Sequence, residues 1–482
     1  MDIAHFSASL PWLRPELLLA GYALLGILIG AAFKEKSAGF LALLGVLALA
    51  GAGILALLAN PSQPQLIFGG SLVIDGFSVF AKVLIAFSAA ATLWLGTDTM
   101  LRGHDRRFEF SLIVVISALG MLIMASANDL ITLYLGLELQ SLGAYVLAAF
   151  ARDDARSSEA GLKYFVLGAL ASGLLLYGAS MIYGFTGSIQ FGDIAADVRH
   201  GDVGVIFGLV FLLCGIGFKL SAAPFHMWTP DVYEGAPTPV TALFAAAPKA
   251  AALALMARVL FDPFQGLQAE WSQVIAAMAA LSLVIGSVAA LVQTNIKRLM
   301  AYSSIANMGY VLMALAAGPQ AGASAALIYL ATYLPATIGV FAIILAMRRG
   351  GHLLDQLEDF AGLAVRRPWL GALLTVLIFS LTGIPPLAGF FGKFYAFQAA
   401  LSAGLWSLVV LAAIATVVSA GYYLRILAIV WFQPPVGEIE RPSITVAMLA
   451  GLSTVLVLAV LSIGLGNVTH WADQAARLSF GS

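Results

Sequence analysis

The stretch GIGFKLSAAPFHMWTPDVYEG, residues 215–235, places Lys219 and Pro224 inside one of the most apolar parts of this 482-residue chain. A second stretch, SLTGIPPLAGFFGKFYAF, residues 380–397, again combines a lysine, Lys393, with prolines. An ammonium group at the centre of a membrane helix costs about 2.5–3.5 kcal/mol on insertion scales, so a lysine there indicates function. An interior proline removes a backbone hydrogen bond and clashes with the preceding turn. The two stretches therefore predict broken helices that each carry a functional lysine.

The composition indicates which solvent surrounds the chain. Hydrophobic residues make up 61% of the sequence and charged residues only 10%, whereas soluble domains carry roughly 25% charged residues. Most of the surface must therefore face lipid or other helices, which predicts an all-α polytopic membrane protein. A net charge of -1 provides no polybasic face and argues against nucleic acid as a partner. The single cysteine, Cys214, excludes a disulfide within the chain.

Apolar segments divide the chain into membrane spans. A crossing needs about 20 helical residues, and fourteen segments approach or exceed that length: 15–33, 40–58, 77–97, 108–126, 130–150, 160–185, 203–232, 240–261, 271–294, 302–317, 322–347, 369–398, 405–432 and 444–468. We expect about 14 transmembrane helices in a single membrane domain, 1–482, with short polar connections. The first segment lacks a basic leader and a small-residue cleavage site, so we expect it to be a retained helix.

Basic residues predict the orientation of the spans. The loops after odd-numbered spans contain Lys34, Lys36, Arg102, Arg106, Arg107, Arg152, Arg156, Lys297, Arg298, Arg348, Arg349, Arg366, Arg367 and Arg441. The opposite side has only Arg14, Arg199, Arg258 and Arg477. Because cytoplasmic loops carry the excess of lysine and arginine, the odd loops are predicted to be cytoplasmic and both termini periplasmic.

Six basic residues are assigned to neither set of loops: Lys82, Lys163, Lys219, Lys249, Lys393 and Arg425. Lys82 and Lys163 lie near span ends, where a lysine can extend its ammonium to the headgroups. Lys249 lies nine residues into its span, near the middle of the bilayer. Glu138, eight residues into span 5, is the one acidic residue that the sequence places well inside the membrane.

The spacing of these residues predicts an internal repeat. Lys219 and Lys393 are 174 residues apart, and Lys249 and Arg425 are 176 residues apart. We therefore predict two five-helix repeats, spans 4–8 (108–261) and spans 9–13 (271–432), with broken helices 7 and 12. Because five is odd, the second copy enters the membrane from the opposite side, as in the inverted repeats of transporters.

The buried charges suggest proton transfer. Burial disfavours the charged form of a group and a nearby opposite charge favours it, so moving one partner changes the proton affinity of the other. A row of such groups can load and release protons in turn; the candidates are Glu138, Lys163, Lys219, Lys249 and Lys393. His226, seven residues beyond Lys219, is either a proton relay or an ordinary core histidine.

Four stretches of the sequence resemble a known family. FKLSAAPFHMWTPDVYEGAPTPVTALFAAAPKAA, residues 218–251, is similar to the signature of the antiporter-like membrane subunits of NADH:quinone oxidoreductase, respiratory complex I. LYLGLELQSLGAYVLAAF around Glu138, EAGLKYFVLGALASGLLLYG around Lys163, and the stretch around Lys393 also resemble that family. A lysine at 393 and an end soon after span 14 most resemble chain N of the bacterial enzyme.

The resemblance implies a role for each residue. Glu138 and Lys219 would form an ion pair whose making and breaking couples the channel to its neighbours. Lys163 matches the lysine of span 6, Lys249 the central connecting lysine, and Lys393 the group that leads to the outlet. The chain would then be a proton-translocating subunit in the bacterial cell inner membrane.

The same resemblance implies the partners and cofactors. The chain would assemble with other complex I membrane subunits, including neighbouring antiporter-like chains, in contact with membrane lipids. FMN, iron–sulfur clusters and quinone would belong to partner subunits, because one cysteine cannot hold an iron–sulfur cluster and we find neither strands nor a glycine-rich dinucleotide motif. Two other readings stay open: a subunit of an Mrp-type cation/proton antiporter, and a membrane scaffold that transports nothing.

Overall fold

The computed structural model describes residues 9–100, 107–198 and 202–481, which are mostly helical. The α-helices are α1 Arg14–Phe33, α2 Ala38–Leu58, α3 Gly76–Thr97, α4 Glu109–Ser126, α5 Leu130–Ala148, α6 Ala155–Thr186, α7 Phe191–Asp197, α8 Val203–Leu220, α9 Trp228–Gly235, α10 Thr238–Ala245, α11 Ala247–Phe261, α12 Gln268–Leu291, α13 Ile296–Leu315, α14 Pro319–Ala346, α15 Leu363–Arg366, α16 Pro368–Thr382, α17 Ala388–Ser402, α18 Trp406–Phe432, α19 Ile444–Val455, α20 Leu461–Ile463 and α21 Leu465–Phe480. A π-helical turn, Leu456–Val460, joins α19 to α20, and short 3-10 turns occupy Leu10–Leu13, Lys34–Ser37, Phe68–Gly70, Gln265–Leu267 and Leu357–Phe360.

Two short hairpins interrupt the helices. Strand β1, Gln65–Ile67, pairs antiparallel with β2, Leu72–Ile74, and β3, Arg348–Arg349, pairs with β4, His352–Leu353. The expectation that the chain has no strands is therefore wrong. Both hairpins lie outside the apolar segments, where the chain carries polar and glycine residues and no long helical period.

The helices have the lengths and compositions of a membrane protein. All fourteen predicted segments contain helix, and ten helical segments of the described residues are long and apolar enough to cross a membrane. Large apolar side chains such as Leu24 and Leu28 on α1 are exposed, which is typical of helices that face lipid or a neighbouring chain. By contrast, nearly every residue of α11, α13 and α14 is buried, so these three helices form the centre of the bundle.

The same backbone connection is built twice in the chain. One isolated antiparallel bridge joins Asp129 to Gln190, and another joins Asn295 to Gln356. Matching pairs of backbone bonds flank the two bridges: Leu130 N to Ile189 O and Phe191 N to Asn128 O, and Ile296 N to Asp355 O and Leu357 N to Thr294 O. Asp129 caps the start of α5, and Asn295 caps the start of α13. Asp129 and Asn295 therefore stand at matching positions.

The helices pack in the same order in two sets, one that begins with α4 and one that begins with α12. In the first set, α4 packs against α5, α6 against α8, and α11 returns to α4. In the second set, α12 packs against α13, α14 against α16 and α17, and α18 returns to α12. Each set therefore closes its fifth helix onto its first.

Both predicted broken helices are confirmed. The first break, 221–227, separates α8 from α9, and the second break, 383–387, separates α16 from α17. Each break begins with a residue in the left-handed conformation: Ser221 has a φ of 60° and Gly383 a φ of 92°.

The residues paired by the predicted offset do not correspond in the structure. Lys219 lies in the last turn before its break, whereas Lys393 lies after its break. Lys249 is fully buried, whereas Arg425 is exposed and donates hydrogen bonds to the backbone carbonyls of α12 and its C-terminal end. The predicted pairing is therefore wrong: Lys219 and Lys393 lie on opposite sides of their breaks, and Lys249 and Arg425 differ in burial and contacts.

Two ion pairs are buried outside the predicted row of charges. Both guanidinium nitrogens of Arg258 on α11 bind the carboxylate of Asp75 at the start of α3, with N–O distances of 2.8 and 2.9 Å. Lys82 on α3 lies 2.6 Å from the carboxylate of Glu16 on α1. Arg258 is thus not a loop charge, and Lys82 does not extend to the headgroups. The counted residues Arg102, Arg106 and Arg199 lie outside the described residues.

The Arg258–Asp75 pair predicts a large effect of a single substitution. Arg258→Ala leaves the Asp75 carboxylate buried without its partner, which costs about 3–5 kcal/mol of unfolding free energy for buried pairs. The measurement is limited proteolysis of membranes across a temperature series, with the intact chain as the readout. Arg477→Ala, at an exposed arginine of α21, is the control and should change stability by no more than about 0.5 kcal/mol. Equal loss in both variants would contradict the importance of the pair.

Candidate functional site

Lys219 binds a tyrosine in the core of the bundle. It lies in the last turn of α8 and is almost fully buried. Its Nζ donates to the hydroxyl of Tyr145 on α5 over 2.9 Å and lies 4.9 Å from the centre of the Tyr145 ring. The ring of Phe218 lies 5.4 Å from the same nitrogen. A hydroxyl, two aromatic faces and the C-terminal end of α8 therefore stabilise the ammonium.

Glu138 lies on the same helix as Tyr145, two turns earlier. It is close enough to Lys219 for an electrostatic interaction, and its Oε1 is buried without a hydrogen-bond partner. No ion pair within 4.0 Å joins Glu138 to Lys219 in the described residues. The Glu138–Lys219 pair is therefore open here, and its closure stays a prediction.

Side chains replace the hydrogen bonds that the first break removes. The carbonyl of Phe218 accepts from the indole Nε1 of Trp228 over 2.9 Å. The carbonyl of Leu220, the last residue of α8, accepts from Nζ of Lys249 over 2.8 Å. Nζ of Lys249 also donates to the hydroxyl of Ser221. The free carbonyls at the end of this helix are thus bound by groups from other parts of the chain.

Lys249 lies between two helix ends with opposite electrostatic effects. It is in the first turn of α11, where the helix dipole disfavours a positive charge, and it binds the last carbonyl of α8, where the dipole favours one. Displacement of Lys249 from the Leu220 carbonyl therefore removes the favourable interaction and leaves the unfavourable one.

Lys393 makes the corresponding contact at the second break. Its Nζ donates over 2.8 Å to the carbonyl of Thr382, the last residue of α16, and lies 4.8 Å from the centre of the Tyr310 ring. A Cβ added to Gly383 would lie 2.9 Å from Cδ of Lys393, so a larger residue there would shift the lysine side chain. By its contacts, Lys249 rather than Lys219 is the counterpart of Lys393.

Lys163 belongs to a cluster of charges at the end of the bundle. Its side chain is 42% exposed and pairs with Asp231 on α9 at 2.8 Å and with Glu159 at 2.7 Å. Arg298 on α13 binds Asp231 at 2.6 Å and Glu234 at 3.1 Å. We call these five residues the Asp231 cluster; they line an open cavity of about 290 Å³. Lys163 is therefore not part of a buried row.

The sequence pattern does not reveal the partners of Lys163. Asp231 lies one residue before the end of predicted span 7 and Arg298 lies in a predicted loop, so neither is among the predicted site residues. The signal was present: α9 is a half-helix of eight residues that carries two acids, Asp231 and Glu234, next to a break.

His226 lies in the first break, apart from the lysines. It is half-buried, its Nδ1 has no hydrogen-bond partner, and the neighbouring Pro224 and Met227 are exposed. In the part of the chain that the structure describes, no hydrogen bond joins His226 to Lys219 or Lys249. Its relay role stays a prediction. No group of three or more histidine, cysteine or acidic side chains in the described residues could hold a metal ion.

The region of this chain that matches known proteins includes both broken helices. The family model described as NADH:quinone oxidoreductase/Mrp antiporter, TM, matches residues 127–419. NADH-quinone oxidoreductase subunit N of Methylobacterium nodulans is 51% identical over 92% of this chain and 93% of that protein. The chain belongs to the subunit N family of NADH-quinone oxidoreductases. Subunit N of Rhodospirillum rubrum is 48% identical over 97% of both chains.

Solved structures agree with membership of the subunit N family. A chain of respiratory complex I from Thermus thermophilus is 37% identical and has a TM-score of 0.82 over 96% of this chain and all of that chain. A chain of the Mrp complex from Dietzia sp. has a TM-score of 0.87 over 98% of both chains but is only 20% identical, so it shows the shared fold alone. The resemblance to the antiporter-like family is confirmed.

The backbone at the first break makes a prediction about stability. Ser221 has a left-handed conformation that costs a non-glycine residue about 1–2 kcal/mol. Ser221→Gly and Ser221→Ala both remove the hydroxyl that Lys249 binds, but only glycine also removes the backbone strain. We expect the glycine variant to be about 1 kcal/mol more stable, measured by thermal inactivation of the purified complex. Equal stabilities would contradict the assigned backbone conformation.

Proposed function

We propose that this chain translocates protons through Lys219, Lys249 and Lys393 within an NADH-quinone oxidoreductase. The observation that carries the proposal is that Lys249 and Lys393 each bind the last carbonyl of a broken helix. Such a contact holds a buried ammonium without a carboxylate, so the group can lose its proton without breaking an ion pair. Buried lysines in membrane helices are expensive and mark ion pathways.

The Asp231 cluster is the proposed entrance for protons. It lies in an open cavity, at the end of the bundle that the basic loops predict to be cytoplasmic. Asp231 receives two cationic partners, so its carboxylate stays charged and holds Lys163 at the cavity wall. Lys163 exchanges its proton with solvent there and passes it toward the core.

Lys219 is the proposed coupling switch. In the open arrangement its ammonium is held by the neutral hydroxyl of Tyr145, while Glu138 has no hydrogen bond to one carboxylate oxygen. Closing the pair would stabilise both charges and draw the ammonium away from the first break. Because Lys249 also binds that break, a shift of Lys219 changes the charge next to Lys249 and therefore its proton affinity.

The proposed architecture is two five-helix repeats, 108–261 and 271–432, with inverted topology. The matching bridges at Asp129 and Asn295 and the repeated packing order support it. Fourteen membrane crossings, both termini in the periplasm, and the cell inner membrane complete the proposal, with the charge pattern of the loops as support.

Redox chemistry is assigned to partner subunits. We propose that FMN, iron–sulfur clusters and quinone bind outside this chain; its one cysteine cannot hold an iron–sulfur cluster. Its partners are the other membrane subunits of complex I, including neighbouring antiporter-like chains. Relatives at about half identity are subunit N chains, which favours this function over an Mrp-type antiporter.

The switch predicts that two substitutions are not additive. Glu138→Gln and Lys219→Ala each remove one side of the same coupled pair, so the double variant should pump no more weakly than the weaker single variant. The measurement is proton uptake by inside-out membrane vesicles at a matched rate of NADH oxidation. Full additivity would exclude the pair. Normal pumping by an assembled Lys219→Ala complex would instead support the scaffold reading.

The entrance predicts a specific loss at Asp231. Asp231→Asn removes the charge that joins Lys163 to Arg298, so proton uptake in the same vesicles should fall at least three-fold while NADH oxidation by the uncoupled complex is retained. Asp193→Asn, at an exposed carboxylate of α7, is the matched control and should leave both rates unchanged. Equal pumping by the two variants would exclude Asp231 from the entrance.

A further inference from the structure

A void lies beside Lys393 in the second half of the chain. It has a volume of about 10 Å³, roughly enough for one water molecule. Lys393 and Asn307 both line it. Its other walls are mainly polar: Tyr329, Thr332, Tyr333, Ser380, Leu381 and Gly389. The side chain of Asn307 therefore shares the wall of this void with Lys393.

The amide of Asn307 is held in one orientation. Its Oδ1 accepts from the hydroxyl of Tyr329 over 2.7 Å, and its Nδ2 donates to the carbonyl of Ser303 over 2.7 Å. The hydroxyl of Ser303 is in turn 2.5 Å from that of Tyr423 on α18. Asn307 is thus a fixed part of a neutral hydrogen-bonded network that joins α13, α14 and α18.

Among the residues that the structure describes, no fixed charge faces Lys393 from the elements around it. The titratable groups nearby are Tyr310 on α13, Tyr329 and Tyr333 on α14, and Tyr423 on α18. The side chains of α16 at the void are Ser380 and Leu381, and neither the π-helical turn nor α20 carries a titratable group. Within the described residues, Lys393 forms no ion pair.

In the first half of the chain, the helix that matches α13 carries an acidic residue. The bridges set Asn295 against Asp129, so Ser304 on α13 matches Glu138 on α5. The same register sets Asn307 against Ser141, one turn beyond Glu138. The face that carries an acid in the first half therefore carries only neutral polar side chains in the second.

We propose that Asn307 keeps Lys393 able to release its proton, by occupying the wall of the void with a neutral, hydrogen-bonded amide. Asn307 acts through Lys393 and is a positioning residue. A carboxylate at this wall would pair with the ammonium in a medium of low dielectric constant and hold the proton there. The inference rests on the proposed role of Lys393 as a proton carrier.

Asn307→Asp tests the proposal in the intact complex. A carboxylate strengthens proton binding by the lysine, so release requires a higher pH. In inside-out vesicles at a matched rate of NADH oxidation, we expect pumping at pH 7 to be at least ten-fold below that of Asn307→Leu, and its half-maximal pH to rise by one unit or more. Asn307→Leu removes the same amide bonds without adding charge, so its pumping should weaken while its half-maximal pH stays that of the unmodified complex.

A second pair of variants covers failure of assembly. Thr332→Asp places the charge on another wall of the same void, with Thr332→Val as its neutral control, and should shift the pH profile in the same direction. An unshifted profile in an assembled aspartate variant would overturn the inference. Lys393→Ala distinguishes failure of the proposed function from failure of the Asn307 inference. Normal pumping by Lys393→Ala overturns the proposed function. Loss of pumping by Lys393→Ala, together with an unshifted pH profile in the aspartate variants, overturns only the role of Asn307.

Discussion

The structure depends on the contact between a lysine ammonium and the last carbonyl of a broken helix. An unwound turn inside a membrane leaves backbone groups that water cannot reach, and each unsatisfied group costs several kcal/mol. Lys249 satisfies the Leu220 carbonyl, and Lys393 satisfies the Thr382 carbonyl. The costly break and the costly charge therefore stabilise each other, which explains why they occur together in an otherwise apolar chain.

The two halves use this contact in different settings. In the first half, Lys219 binds Tyr145 next to the break, and the Asp231 cluster lines an open cavity. In the second half, tyrosines, serines and an asparagine lie around the lysine. The first half therefore brings charged groups close to its break, whereas the described groups at the void beside Lys393 are neutral.

The sequence predicted the fold class, the two helix breaks and the buried lysines near them, because hydropathy and charge can be read directly along the chain. Broken helices, Lys219, Lys249 and Lys393 all follow from prolines and lysines in apolar runs. The sequence did not predict the register between the halves, since the spacing of lysines says nothing about which side of a break each occupies. Backbone bridges such as Asp129–Gln190 depend on distant segments and give no local signal.

The sequence also did not reveal which charged residues pair with each other across the bundle. Arg258 reads as a loop charge at the end of a span, and only the folded chain brings it to Asp75, 183 residues away. The same limit applies to Asp231, which becomes a partner of Lys163 only when α9 packs against α6.

The Arg258–Asp75 pair has a consequence for the helix that carries Lys249. At its far end, α11 is fastened to α3 by two charged hydrogen bonds, and the Arg258 guanidinium also lies 5.2 Å from the ring of Phe480 on α21. At its near end, α11 begins at Ala247, directly after Ala246, whose backbone is not helical. The helix is thus held by charged contacts at its C-terminal end, and its N-terminal end follows a non-helical residue. Lys249 lies nine residues before Arg258, about 14 Å along the helix, so a change in the contacts of Lys249 does not require the Arg258–Asp75 contacts to break.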